Sequence, residues 1–263
     1  MVTTRLYIAV GSLNSLQSVV AGLLIDSERV YTEVTNEILA EHDAEMTWDI
    51  KAGLMGKPER EAAAHLLSFF PSISLTIEDY IARRNILQDQ SWPHVKLLPG
   101  VHKLVQHLHQ HGIPMAIATG SRRRNLEMKT GHLQDVFGLF GENMVCGDDE
   151  WIRTGRGKPF PDVFLVAARG SLGRNVGGKG KDGEREGDLC SSEERVERAK
   201  GLVFEDAILG VQAGKRAGMN VVWVPDPNLL KLETHGPEQP DQVLRSLEEF
   251  VPEEWGLPPY DLD

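Results

Sequence analysis

From Val101 onward the apolar positions switch repeatedly between two periods. Val101, Leu104, Val105 and Leu108 recur at helical spacing, and Gly112 ends that helix. Residues 113–119 then form a buried strand, and residues 143–146 a second one. Residues 161–169 predict a helix with proline at its start, and residues 202–204 a third strand. A helix over 207–217 follows, closed by Gly218, and a fourth strand over 220–224 ends at Pro225. Repeated strand–helix units at this spacing imply a Rossmann-like parallel sheet with both faces covered, an α/β fold. Ligands in such sheets sit at the carboxyl ends of the strands.

Residues 28–96 read differently. Helical patterns over 33–41, 60–67 and 77–87 dominate, and no strand signal stands out. This predicts a helical cap subdomain inserted into the core, which comprises residues 1–27 and 97–263. Residues 170–198 are crowded with Gly, Lys, Arg, Glu and Ser, and are expected to form an unordered surface insertion. The basic patch around Lys179 and Lys181 reads as solvated loop.

Charge narrows the partners. The 263 residues carry a net charge of −11, with a pI near 5.3. Such a surface repels nucleic acid and anionic membranes, so neither is expected. No apolar run is long enough to span a bilayer. Cys146 ends an apolar run and reads as core, Cys190 lies in a polar stretch, and neither shows metal-ligand spacing in sequence. Two such cysteines suit a reducing compartment, and a cytoplasmic monomer is expected. The first 25 residues hold one Arg and no acid, a composition also found in transit peptides.

Three strand ends carry polar residues suited to phosphate chemistry. Thr119-Gly120-Ser121 follows the first long strand, where a hydroxyl and free backbone N–H groups can hold a phosphate oxygen. The same triplet is also ordinary turn chemistry. Lys158 precedes the proline-initiated helix and would supply point charge to an oxyanion, although a lysine beside proline is usually a surface residue. Glu205-Asp206 directly follows a buried strand. Adjacent carboxylates repel each other, so a cation such as Mg²⁺ is the natural reason for the pair, while Asp206 as a helix cap is the plainer reading.

Thr119, Lys158 and Glu205-Asp206, in that order, resemble the second, third and fourth motifs of the haloacid dehalogenase superfamily. Gly22-Leu23-Leu24-Ile25-Asp26-Ser27-Glu28 resembles the tail of its first motif. Leu98-Pro99-Gly100 resembles the start of its post-cap helix, and Trp48-Asp49-Ile50-Lys51, Met55-Gly56-Lys57, Gly147-Asp148-Asp149, Gly157-Lys158-Pro159 and Val203-Phe204-Glu205-Asp206-Ala207 are similar to the pseudouridine-5′-phosphatase-like branch. The resemblance implies a Mg²⁺-dependent phosphomonoesterase of small phosphorylated metabolites that works through an aspartyl-phosphate. It implies that Thr119 and Lys158 hold the phosphate, with Gly120 and Ser121 beside them. Glu205 and Asp206 would serve Mg²⁺, and Lys57 would reach the substrate from the cap.

The pattern departs at one place. The superfamily's Asp-x-Asp nucleophile and acid/base positions fall on Val19 and Ala21, which can neither attack phosphorus nor carry a proton. Asp26 matches a later position at the cap linker. Residues 16–20 fit a buried central strand poorly, whereas residues 6–10 fit better but lie too far from Gly22. So sharp a break implies an inauthentic first exon more than slow decay. Three readings follow: an enzyme with a misrepresented N-terminus, a pseudophosphatase that binds a phosphorylated ligand, or a non-functional product.

Overall fold

The computed structural model describes residues 17–20, 23–54, 57, 59–177, 190–231 and 236–261. The elements run β1 (Gln17–Val20), α1 (Ser27–Ala40), α2 (Trp48–Leu54), α3 (Glu59–Ser68), α4 (Ile77–Ser91) and α5 (Val101–Gln110). There follow β2 (Met115–Ala118), α6 (Arg123–Thr130), α7 (Gln134–Phe137), β3 (Met144–Val145) and α8 (Asp162–Val166). The chain ends with α9 (Ser192–Arg198), β4 (Gly201–Glu205), α10 (Ile208–Arg216), β5 (Asn220–Trp223) and β6 (Gln242–Val243).

The strands form one parallel sheet in the order β3-β2-β1-β4-β5-β6. Side chains alternate across it, as the strand period of two requires. Met115, Ile117, Leu202, Phe204 and Val222 enter one core, with α5 and the inserted helices. Ala116, Ala118, Val203, Val221 and Trp223 enter the other, with α8 and α10. A sheet buried on both faces explains why these strands read as unbroken apolar runs.

The structure corrects the expectation for the first strand. Residues 17–20 are the central strand: Val19 pairs with Ala116 on one side and Val203 on the other. The register of two neighbours selects this segment despite its weak strand character. Residues 6–10 and Ala21 lie outside the described residues. A second correction concerns residues 170–198. Val176 is fully buried, and Arg198 donates from Nε to its carbonyl at 2.6 Å. Ser191 and Glu194 form a reciprocal capping box that starts α9. Lys179 and Lys181 fall outside the described residues.

Helices α1 to α4 lie between β1 and β2 in the chain, and α1 packs along α4. The chain crosses to them and returns in two antiparallel segments bridged at Ile25 and Leu97, with Leu98 N–H donating to Leu24 O at 3.0 Å. The return enters α5 through Gly100 at φ 83°, where a Cβ would lie 2.5 Å from Glu248 N. Gly100→Ala combines left-handed strain with a backbone clash and should cost about 1–3 kcal/mol. A drop in the urea midpoint without a change in slope would show it.

Candidate active site

The sheet's carboxyl edge gathers the polar residues. Val20 is level with Ile117 and Phe204, so Thr119 and Glu205 emerge just beyond, on either side of β1. Thr119 is buried, and its N–H donates to Val145 O at 2.9 Å. Its hydroxyl oxygen accepts from Ser121 N–H at 3.1 Å, so the local turn expected for this triplet does form. Helix α6 starts two residues later, and Asp148 Oδ1 accepts from Arg123 N–H at 2.9 Å.

On the other side of β1, the Lys158 ammonium pairs with Glu205 Oε1 and lies 5.2 Å from the Phe164 ring centre. Glu205 is 1% exposed, and its Oε2 has no hydrogen-bond partner among the described residues. Gly210 makes the space for it: a Cβ there would meet the Glu205 carboxyl at 2.0 Å. Burial pushes the Glu205 carboxyl up, and Lys158 opposes the rise. Burial, and then the charge of Glu205, push Asp206 up to about 7. Asp206 does not cap the next helix; Ala207 is the N-cap residue, with no side-chain cap bond. Two crowded carboxyl groups, one with an oxygen unpaired in the interior, have the donor chemistry of a hard divalent cation such as Mg²⁺.

Glu28 and Lys51 join this cluster, and the sequence reading gave neither a role. Lys51 Nζ lies 3.5 Å from Glu28 Oε2, and burial raises the Glu28 carboxyl, with Asp206 adding to the rise. A cavity of about 840 Å³ opens between α1–α4 and the loop before α6. Gly120, Ser121 and Lys57 line it; Thr119 faces a separate void of about 50 Å³, and Lys158, Glu205 and Asp206 line neither. Cys146 is buried as expected, yet it meets Asp148 and Asp149 within 4.8 Å, a grouping its sequence spacing hid. Its thiol is pushed up to about 11 by burial, and Asp149 is taken by Arg123 at 2.7 Å, so this group is no thiolate site at neutral pH.

A family model described as haloacid dehalogenase-like hydrolase matches residues 20–218. The chain belongs to that family. It is 40% identical over 252 residues to (DL)-glycerol-3-phosphatase 2 of Arabidopsis thaliana, covering 95% of this chain and 94% of the relative. It is 36% identical to a probable pseudouridine-5′-phosphatase of Drosophila melanogaster, covering 91% and 92% of the two chains. Among solved structures, the fold matches a HAD family hydrolase from Deinococcus radiodurans with bound phosphate and sodium. That match has a TM-score of 0.66 at 22% identity and covers 94% of this chain and 98% of that one. No helix among the described residues is long and apolar enough to cross a membrane.

The Asp206 shift has a testable sign. Between its ordinary value of 3.8 and about 7, the native chain holds a proton that the unfolded chain has released. Stability in chelator should therefore fall as pH rises through that window. Urea midpoints at pH 5 and pH 7.5 should show the fall, and Asp206→Asn should reduce it.

Proposed function

We propose that this chain is built as a phosphatase of small phosphorylated metabolites and that, as written, it binds such an ester without hydrolysing it. One observation carries the reading. Thr119, Glu205 and Asp206 lie at the ends of the strands flanking β1, with Lys158 paired to Glu205, while residues 16–22 contain no acid. The family match beginning at residue 20 and the phosphatases among the relatives support the first half.

Each residue has a distinct task in this reading. The Thr119 hydroxyl and the backbone N–H groups of Gly120 and Ser121 hold phosphate oxygens. Lys158 opposes the rise that burial imposes on the Glu205 carboxyl and adds positive charge beside the phosphate. Glu205 and Asp206 hold Mg²⁺, which would screen the dianion from an attacking carboxylate. Helices α1–α4 act as a cap that excludes bulk water, and Lys57 contacts the ester from that side. Hydrolysis through an aspartyl-phosphate further needs one carboxylate to attack and a second to protonate the leaving oxygen. Val19 and Ala21 supply neither. Pseudouridine 5′-phosphate and sugar or polyol phosphates are the substrates the relatives suggest.

The chain as written should give no measurable Mg²⁺-dependent hydrolysis of p-nitrophenyl phosphate, since loss of a nucleophile costs about 10⁴–10⁶ in rate. Clear turnover abolished by Glu205→Gln with Asp206→Asn would refute this. Val19→Asp with Ala21→Asp should gain activity that EDTA removes, whereas Ala21→Asp alone should stay inactive. A double variant that folds and binds Mg²⁺ yet hydrolyses no ester in a broad panel would show that the remaining site is not phosphatase machinery.

A further inference from the structure

Two histidines and a carboxylate gather at the edge of the sheet opposite the candidate active site. Helix α5 ends at Gln110 and β2 starts at Met115, so the end of α5 lies at the amino edge, whereas Thr119 and Glu205 mark the carboxyl edge. His107 and His111 stand four residues apart at that helix end and therefore on one face, with ring centres 4.4 Å apart. The C-terminal segment crosses the same face. Its Leu257 is buried, the Tyr260 ring centre is 4.7 Å from that of His107, and Lys103 Nζ sits 4.2 Å from the centre of the Tyr260 ring. The segment brings Asp261 with it. A ring nitrogen of each histidine and a carboxylate oxygen of Asp261 lie within 4.8 Å of one another.

The hydrogen bonds fix which nitrogens can bind. His107 Nε2 lies 3.0 Å from Pro258 O, and His111 Nδ1 lies 3.0 Å from His107 O. A carbonyl oxygen only accepts, so both of these nitrogens carry the proton and donate. In the neutral rings the lone pairs therefore stand on His107 Nδ1 and His111 Nε2. An imidazole whose N–H is held by a backbone carbonyl is oriented as metal-binding histidines are. The negative end of the α5 dipole also favours a cation at this place. Imidazole nitrogen suits Zn²⁺, Cu²⁺ and Ni²⁺, whereas Mg²⁺ takes oxygen ligands. Atoms bound to one zinc ion lie about 3.3 Å apart, so the group has to close by at most roughly 1.5 Å. His111 and Asp261 are exposed, and rotation of the Asp261 side chain can supply that movement.

We propose that His107 Nδ1, His111 Nε2 and an Asp261 carboxylate oxygen form a binding site for a divalent transition-metal ion, Zn²⁺ above all, with water as the fourth ligand. The site is independent of the phosphate chemistry at the other edge of the sheet. It acts by tying the C-terminal segment to α5. Pro258 already accepts from His107 on that segment, and the ion adds a second link three residues further on.

The test titrates the full chain, free of any affinity tag and stripped of metal, with Zn²⁺ in a buffer holding excess Mg²⁺. Calorimetry should show zinc binding, and zinc at a hundredfold excess over its dissociation constant should raise the melting temperature by about 5 °C. His111→Ala and Asp261→Ala, both at exposed positions, should each weaken zinc binding by about tenfold to a hundredfold, since even the partners behind a metal ligand are worth that much. Glu205→Gln with Asp206→Asn should leave zinc binding intact. Nitrogen-15 spectra of the histidine rings need no substitution at all. There zinc should move His107 Nδ1 and His111 Nε2 most. Zinc affinity that survives either single substitution or vanishes with Glu205 and Asp206 overturns the site. So does a zinc response centred on other histidines, or no zinc binding.

Discussion

Everything at the carboxyl edge of the sheet is registered against four residues. Gln17–Val20 pairs with β2 on one side and β4 on the other, so each neighbouring strand end is fixed relative to it. Adjacent strands lie about 4.8 Å apart, which puts the Thr119 loop and the Glu205-Asp206 pair two strand steps from each other. A phosphate group fits in that interval only if the middle strand neither overshoots nor falls short. The strand that organises the site is thus also the one on which, in a working phosphatase, the attacking carboxylate would stand at position 19, with the acid/base just beyond the strand at position 21.

The charges beside β4 show how the interior tolerates such a site. Glu205 is nearly inaccessible, and an isolated carboxylate there would be strongly disfavoured. Lys158 offsets one oxygen, and the absent side chain of Gly210 prevents a clash rather than adding a contact. The second oxygen has no hydrogen-bond partner among the described residues, and Asp206 beside it is raised to about 7, first by burial and then by the charge of Glu205. Such a cluster is stable only conditionally, which is common where binding rather than packing decides the residues.

Much of this was legible in the chain because the relevant signals are local. The strands β2, β4 and β5 are short apolar runs, Thr119, Glu205 and Asp206 close such runs, and Lys158 directly precedes a proline-led helix. The failures come from tertiary effects. Gln17 and Ser18 argue against a central strand, yet two flanking ladders impose one. Residues 170–198 look too polar to order, but one buried valine, one buried arginine and a capping box suffice for their two ends. The burial of Tyr80 and Gln88 on α4 was invisible because a polar face on a helix normally points to water. Its role depends on which face α4 turns toward the cavity, and local periodicity does not decide that.

The helical layer is tied to this edge by a cation as well as by its two linkers. Lys129, on α6, is buried with its ammonium 4.4 Å from the Trp92 ring centre and 5.1 Å from that of Tyr31, and it donates to the Tyr31 hydroxyl at 2.9 Å. A desolvated cation between two rings is worth about 2 kcal/mol, more than an exposed ion pair contributes. Helix α6 begins two residues after Ser121, and Tyr31 lies on α1, which opens directly after the linker. Lys129 therefore joins the loop that would hold phosphate to the helices that would cover it. Separating the two layers would pull that ammonium off both rings before it regained water. The covered arrangement is thus favoured by the protein's own contacts.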